Sequence, residues 1–323
     1  MKNILDDIKR NTFKPVYFLY GEEGYLINQY KNKLISAIVG DNTFNLTVVN
    51  DKPDERALKE IINTLPFMSE RRLIVIDRCD LLKTSDKYLF LTNDLPEYIV
   101  IIIIENTLDK RLKLYKEIKK IGYICEMKTQ SEASVSKFIK GKCDEEGKQT
   151  DPDTIREIYR RTCGDLGLIV TELEKLFSYT DGRDVITMSD VRDIVSVRIE
   201  EKVFDMIDAI AYRDKRRALS LYYDLLAVRE SPMKIMILME RHFNGLLQVK
   251  SSPPMPAGDL AKSIGLKGVA PFVAGRYQKQ AVAFSKERLK ELVEEFMRTE
   301  EDIKTGMMSD KTGAELMIAE ALL

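Results

Sequence analysis

Leu65-Pro66-Phe67-Met68-Ser69-Glu70-Arg71-Arg72 leads straight into Leu73-Ile74-Val75-Ile76-Asp77. The second string is a continuous apolar run, the pattern of a strand covered on both faces of a parallel sheet. The first reads as a turn bounded by charge, yet four of the five residues before Glu70 are large and apolar or proline. Turns normally lie at the surface, so apolar side chains in one are either folded back on the core or held out for a partner. The flanking chain has to decide between the two.

Upstream, Val16-Tyr17-Phe18-Leu19-Tyr20 reads as a first strand broken at Gly21. Glu22-Glu23-Gly24 follows, and then an amphipathic helix with Leu26, Ile27, Tyr30, Leu34 and Ile38 on one face, ending near Gly40. Strand, glycine turn and helix form the layout of a phosphate-binding loop. Counted from Gly21, however, the Gly-Lys-Ser/Thr positions of the Walker pattern hold Leu26, Ile27 and Asn28. No lysine faces a phosphate, no hydroxyl faces magnesium, and two glutamates repel a nucleotide. Phe44 to Val49 reads as a second strand. Asp54 opens a helix with Leu58, Ile61, Ile62 and Leu65 at helical spacing, which enters the turn. Asp77 closes the third strand where a Walker B aspartate stands, but Arg78 replaces the catalytic glutamate, so Asp77 reads as a structural remnant.

Downstream, Tyr98 to Glu105 is an isoleucine-rich fourth strand and therefore central. Leu108, Leu112, Tyr115 and Ile118 mark a helix whose outer face carries Lys110, Arg111, Lys113, Lys116, Lys119 and Lys120, a solvated face. Gly122 to Glu126 is a short fifth strand. Strands alternating with helices over residues 1–130 predict a doubly wound parallel sheet. From Ser131 the strand signals stop. Val135, Phe138 and Ile139 mark one helix, Asp151-Pro152 opens a second, Leu166 to Phe177 a third, and Ser189 is the expected cap of a fourth. Residues 131–199 thus form a small helical domain. Residues 200–323 form a third region, again helical, with Ser231-Pro232 capping a long apolar helix through Met236, Met239, Phe243 and Leu247. Ser251 to Pro256 reads as a loop, and two or three further helices follow, the clearest from Ser285 through Phe296 to Ile303.

Composition fits this division. At 323 residues the chain calls for two or three domains. The formal net charge of −1 does not suit a protein that holds DNA alone by neutralising phosphates. Four irregularly spaced cysteines (Cys79, Cys125, Cys143 and Cys163) and one histidine, His242, make neither a zinc site nor a Cys–His dyad. His242, between Met239 and Phe243, is expected to pack or hydrogen-bond locally. The first residues lack a signal-peptide core, and the longest apolar run, Ile99 to Ile104, is too short to span a bilayer, so a cytoplasmic, non-membrane protein is expected.

The order of a P-loop-like domain, a small helical lid and a helical C-terminal region resembles the clamp-loader branch of the AAA+ proteins. Tyr17-Phe18-Leu19-Tyr20-Gly21-Glu22-Glu23 without a following Lys-Ser/Thr, the string Leu65 to Leu73, Asp109-Lys110-Arg111 with Leu114-Tyr115-Lys116, and Glu172-Leu173-Glu174-Lys175-Leu176 narrow it. Together they resemble the delta subunit of the bacterial DNA polymerase III clamp loader. That resemblance implies a fold of α/β plus all-α type: an AAA+-like domain over 1–130, a lid over 131–199 and a collar over 200–323. It also implies a subunit that binds and opens the sliding clamp without chemistry or cofactor of its own, inside a hetero-oligomer with ATPase subunits and, through the assembly, primed DNA. The family's apolar wedge falls on Phe67 and Met68, supported by Leu65 and Pro66. The Ser-Arg-Cys motif of other loader subunits is absent, and Gly167 stands where ATP-binding relatives place a sensing arginine. Two rivals are a dead AAA+ frame serving another complex and a P-loop ATPase with an unusual loop. The fold argues separately for a partner: ligands of a parallel α/β sheet bind beyond the carboxyl ends of its strands, whereas this turn enters its strand from the amino end.

Overall fold

The computed structural model describes residues 1–93, 95–256, 259–260 and 271–323. The chain divides into two compact units, Met1–Thr129 and Gln130–Leu323. The first is built on a five-stranded parallel sheet: β1 (Val16–Gly21), β2 (Leu46–Val49), β3 (Arg72–Asp77), β4 (Ile99–Glu105) and β5 (Tyr123–Met127), in the spatial order β2-β3-β4-β1-β5. β4 is central because all seven of its residues are buried, and its isoleucines cover both faces. It pairs in register with β1 (Phe18 opposite Ile103) and with β3 (Val75 opposite Ile102).

Among the described residues this unit has four α-helices: α1 (Lys2–Arg10), α2 (Gly24–Val39), α3 (Glu55–Ile62) and α4 (Lys113–Ile121). Leu26, Ile27, Leu34 and Ile38 of α2 are buried, as their spacing requires, while Tyr30 is half-buried. Asp54 caps α3 by accepting the Arg56 N–H at 3.2 Å.

Three local readings are corrected. Phe44 lies outside the second strand, in a 3-10 turn over Thr43–Asn45, because the Asn45 side chain is committed to another segment described below. Leu65 lies beyond α3 and is exposed, so the helical spacing ends at Ile62. α4 starts later than the pattern implies and buries Leu114 and Ile118, with Leu112 at its N-cap. Its late start has a local cause: Asp109 accepts the Arg111 N–H at 2.9 Å and binds its guanidinium at 2.7 Å, making a side-chain-closed turn that competes with helix. The six basic residues of this segment are exposed, and Arg111 and Lys120 pair with Asp109 and Glu117 on the same surface.

Among its described residues the second unit has helices, their connections and one isolated bridge, Gln149 to Val185. Its first helices are Glu132–Glu145, Pro152–Arg161, Leu166–Tyr179 and Met188–Ile194. The last of these is capped by Thr187, not Ser189. Thr187 and Asp190 form a reciprocal capping box, with the Thr187 N–H donating to Asp190 at 2.8 Å, and Ser189 falls within the first turn. Ile199–Ala211, Lys215–Ala227 and Pro232–Ser251 follow. Ser231 precedes Pro232 but its side chain makes no capping bond, and Ser251 closes the helix where a loop was expected. Pro271–Ala281, Lys286–Lys304 and Asp310–Ala321 complete the described helices; part of the segment between Pro256 and Pro271 lies outside the described residues.

Met236, Met239, Phe243 and Phe296 are buried in one core here. His242 is buried beside them, and its Nε2 lies 2.6 Å from Gln280 Oε1. Burial pushes its pKa down to about 3, so the ring is a neutral packed group. All four cysteines are free. Burial raises the thiols of Cys79, Cys143 and Cys163 to about 11, the opposite of what an activated cysteine needs. Among the described residues no helix is long and apolar enough to cross a membrane, and no group of side chains is arranged to hold a metal ion.

Candidate functional site

The turn between α3 and β3 carries the exposed apolar surface foreseen from the sequence. Leu65 is 70% exposed, Phe67 55% and Met68 90%, while Pro66 is half-buried. Large side chains this open are not folded back on the core. Phe44, 75% exposed, joins them: its ring meets that of Phe67 edge-on, with centroids 5.8 Å apart. The four apolar residues foreseen for the site thus stand together, and Phe44 adds a fifth. Phe44 was hidden in the sequence because Phe44-Asn45-Leu46-Thr47-Val48-Val49 reads as one strand.

The turn is fastened at both ends, through the backbone of Phe67 at one and through the side chains of Arg71 and Arg72 at the other. The Phe67 N–H donates to Asn45 Oδ1 at 2.6 Å, and Phe67 O accepts from Asn45 Nδ2 at 2.8 Å and Asn42 Nδ2 at 3.0 Å. At the far end Arg71 reaches Asn11, with guanidinium contacts of 3.3 and 3.4 Å, and stacks 5.0 Å above the Phe13 ring. Arg72 donates to Thr47 Oγ1 at 2.9 Å and to Phe44 O at 3.3 Å. Asn45, Phe13 and the turn itself immediately precede β2, β1 and β3. In a parallel sheet all three therefore lie on its amino edge.

The carboxyl edge is where a nucleotide site of this fold is built. Leu26 and Ile27, at the phosphate-loop glycine and lysine positions, are buried in the core. The Glu23 N–H, an amide of the kind that cradles phosphate, donates to Met127 O at 3.0 Å. Gly21 adopts a positive φ of 133°, and a Cβ there would lie 2.2 Å from Met127 O. Glu22 stands exposed at the helix start and accepts from Thr129 at 3.1 Å. Asp77 has both oxygens occupied: Lys31 Nζ is 3.2 Å from Oδ2, and Arg78 Nη1 is 3.2 Å from Oδ1. An ammonium and a guanidinium of this chain thus surround the carboxylate at the Walker B position.

Known proteins agree with this architecture. Residues 17–128 match the family model described as DNA polymerase III, delta subunit, and residues 200–321 match the model for the C-terminal domain of that subunit. DNA polymerase III subunit delta of Bacillus subtilis (strain 168) is 29% identical over 336 residues, covering 99% of this chain and 96% of that protein. A probable DNA polymerase III subunit delta of Aquifex aeolicus (strain VF5) is 23% identical over 294 residues, covering 86% of this chain and 83% of the other. The solved structure of the Bacillus subtilis DNA clamp loader delta protein superposes with a TM-score of 0.78 at 27% identity, covering 99% of each chain. An α/β sheet unit followed by helices, matched over its whole length, defines a clamp-loader type of protein. The chain belongs to the DNA polymerase III delta subunit family.

Proposed function

We propose that this chain is the clamp-binding and clamp-opening subunit of its loader, and that it acts through Leu65, Pro66, Phe67 and Met68 without binding or hydrolysing ATP. One observation carries the reading: a cluster of large apolar side chains held in solvent by a backbone that is hydrogen-bonded to its neighbours. A few fully desolvated anchors dominate most protein interfaces, and an aromatic–methionine pair on a rigid turn fits an apolar groove on a partner. The mechanism is differential affinity. The surface around Phe67 and Met68 binds the clamp more tightly with one of its interfaces open or strained, and so shifts that equilibrium. ATP is consumed by sister subunits.

Within this reading residues 131–199 serve as the lid and residues 200–323 as the collar that joins the ATPase subunits in a hetero-oligomer. Primed DNA is met through the assembled complex, in the cytoplasm. The lysines and arginine of residues 110–120 remain a solvated face.

The test is clamp binding by the isolated chain without nucleotide, repeated with Phe67→Ala/Met68→Ala. Truncating anchors of this kind costs ~2–4 kcal/mol, or roughly 30- to 1000-fold in affinity, and the melting temperature should not move. Unchanged affinity with a melting temperature lowered by many degrees would make the turn structural. Binding of some other complex but no clamp would favour an adaptor on the same frame, and saturable micromolar Mg-ATP binding an unusual ATPase.

A further inference from the structure

We infer that Asn45 is the positioning residue of the docking turn: its side chain sets the backbone of Phe67, and so the direction of the Phe67 and Met68 anchors, before any partner arrives. The inference rests on the reading of Phe67 and Met68 as clamp anchors and assigns the element that makes them rigid. Asn45 is fully buried, although asparagine is ordinarily a surface residue. Its carboxamide presents an acceptor oxygen and an N–H donor side by side on one edge, the pattern that pairs with the N–H and C=O of a single residue. Both are used on a single residue 22 positions away: Oδ1 takes the Phe67 N–H and Nδ2 gives to Phe67 O. Asn45 thus stands in for one rung of a strand ladder where the chain is too irregular to form one. Asn42 adds a second donor to the same carbonyl from the more open side.

Met68 shows why such a clasp is needed. Its φ is +49°, a left-handed conformation unfavourable for a residue with a Cβ, and at 90% exposure its own side chain gains little packing in return. A free turn of this sequence would relax to ordinary negative φ and scatter the two side chains. With the N–H and the C=O of Phe67 both held, and so the two peptide units that flank its Cα, the conformational cost is met on folding and need not be met again on binding. The Phe44 ring, carried by the same 3-10 turn as Asn45, closes against the Phe67 ring and limits its swing.

The experiment has two arms on the full chain. The first is amide hydrogen exchange over residues 65–71 of the free protein, comparing wild type with Asn45→Ala and with Asn42→Ala. Protection at Phe67 should be lost in Asn45→Ala and reduced in Asn42→Ala, with β2 and β3 unchanged; unaltered exchange at Phe67 overturns the assignment whatever the turn binds. The second is a double-mutant cycle on affinity for the purified cognate sliding clamp. Asn45→Ala should weaken binding about tenfold, as the loss of a pair of hydrogen bonds implies, and Asn42→Ala by less. In the Phe67→Ala/Met68→Ala background Asn45→Ala should add almost nothing, because there are no anchors left to aim. An equal loss in both backgrounds would show that Asn45 acts on the fold generally and would overturn the inference. If Phe67→Ala/Met68→Ala binds the clamp like wild type, the docking reading itself fails, and the role assigned to Asn45 in clamp recognition fails with it. Asn42, half-buried and outside any regular element, keeps the comparison usable if Asn45→Ala folds poorly.

Discussion

The amino and carboxyl edges of the same five-stranded sheet treat their side chains in opposite ways. On the carboxyl edge the polar groups are turned inward on one another: the Glu23 amide on Met127 O, Asp77 between Lys31 and Arg78, and apolar Leu26 and Ile27 packed where a phosphate loop needs glycine and lysine. On the amino edge the backbone is satisfied in a similar way, by Asn45, Asn42 and Arg71, but the side chains it carries are apolar and face solvent. An edge whose groups are already partnered has little differential free energy to offer a ligand. An edge whose apolar groups are held open has a large amount, because desolvating them is the favourable step. The fold keeps the frame of a nucleotide site while its exposed apolar side chains stand on the opposite edge.

The comparison breaks most visibly if the nucleotide edge can be revived. Ile27→Lys restores the side chain of the phosphate loop, but position 27 is core, so the ammonium is forced into an apolar environment. The expected result is destabilisation of ~4 kcal/mol or more, read as a large fall in melting temperature, with no Mg-ATP binding by calorimetry. A stable variant that binds nucleotide would show that the edge is poised, not closed. On the other edge, Phe67→Asp places a carboxylate among the exposed apolar side chains of the turn. Clamp affinity should fall at least as far as with the alanine pair, ~2–4 kcal/mol, at an unchanged melting temperature, since the ring is half in solvent; a collapse of stability would move Phe67 into the core.

Gly21→Ala sharpens the carboxyl side. A Cβ 2.2 Å from a carbonyl oxygen at a φ of 133° cannot be relieved by a rotamer change. A loss of about 2–3 kcal/mol in chemical denaturation is expected, with clamp affinity of the folded protein retained because the turn lies at the other end of the strands. The smallest effect belongs to Lys31→Met. The Lys31–Asp77 pair is partly screened by solvent, with side chains 20% and 14% exposed, so ~0.5–1 kcal/mol is expected. A loss of several kcal/mol would mean that Arg78 alone does not compensate the Asp77 carboxylate once the Lys31 ammonium is gone.

The sequence by itself determined the elements that rest on strong periodicity or on a single chemical fact. Six residues from Ile99 to Ile104 can be buried on both faces only in a central strand, and β4 is central. That Ile27 and Asn28 stand where a phosphate loop needs lysine and a hydroxyl is a fact of sequence position, visible without coordinates. The apolar character of residues 65–68 was equally plain, and so was their place before a buried strand. Their outward direction followed only from the fold context and the family resemblance, because a turn residue's exposure depends on what packs beside it, and the neighbours here come from residues 11–13 and 42–45. The same dependence hid Phe44 and Asn45: aromatic and β-branched residues around an asparagine read as strand until the asparagine is seen to spend its side chain on a distant peptide. Local periodicity reports which face of an element is apolar. Only the tertiary structure decides whether an apolar residue between elements is covered or presented, since that depends on contacts with segments far away in sequence.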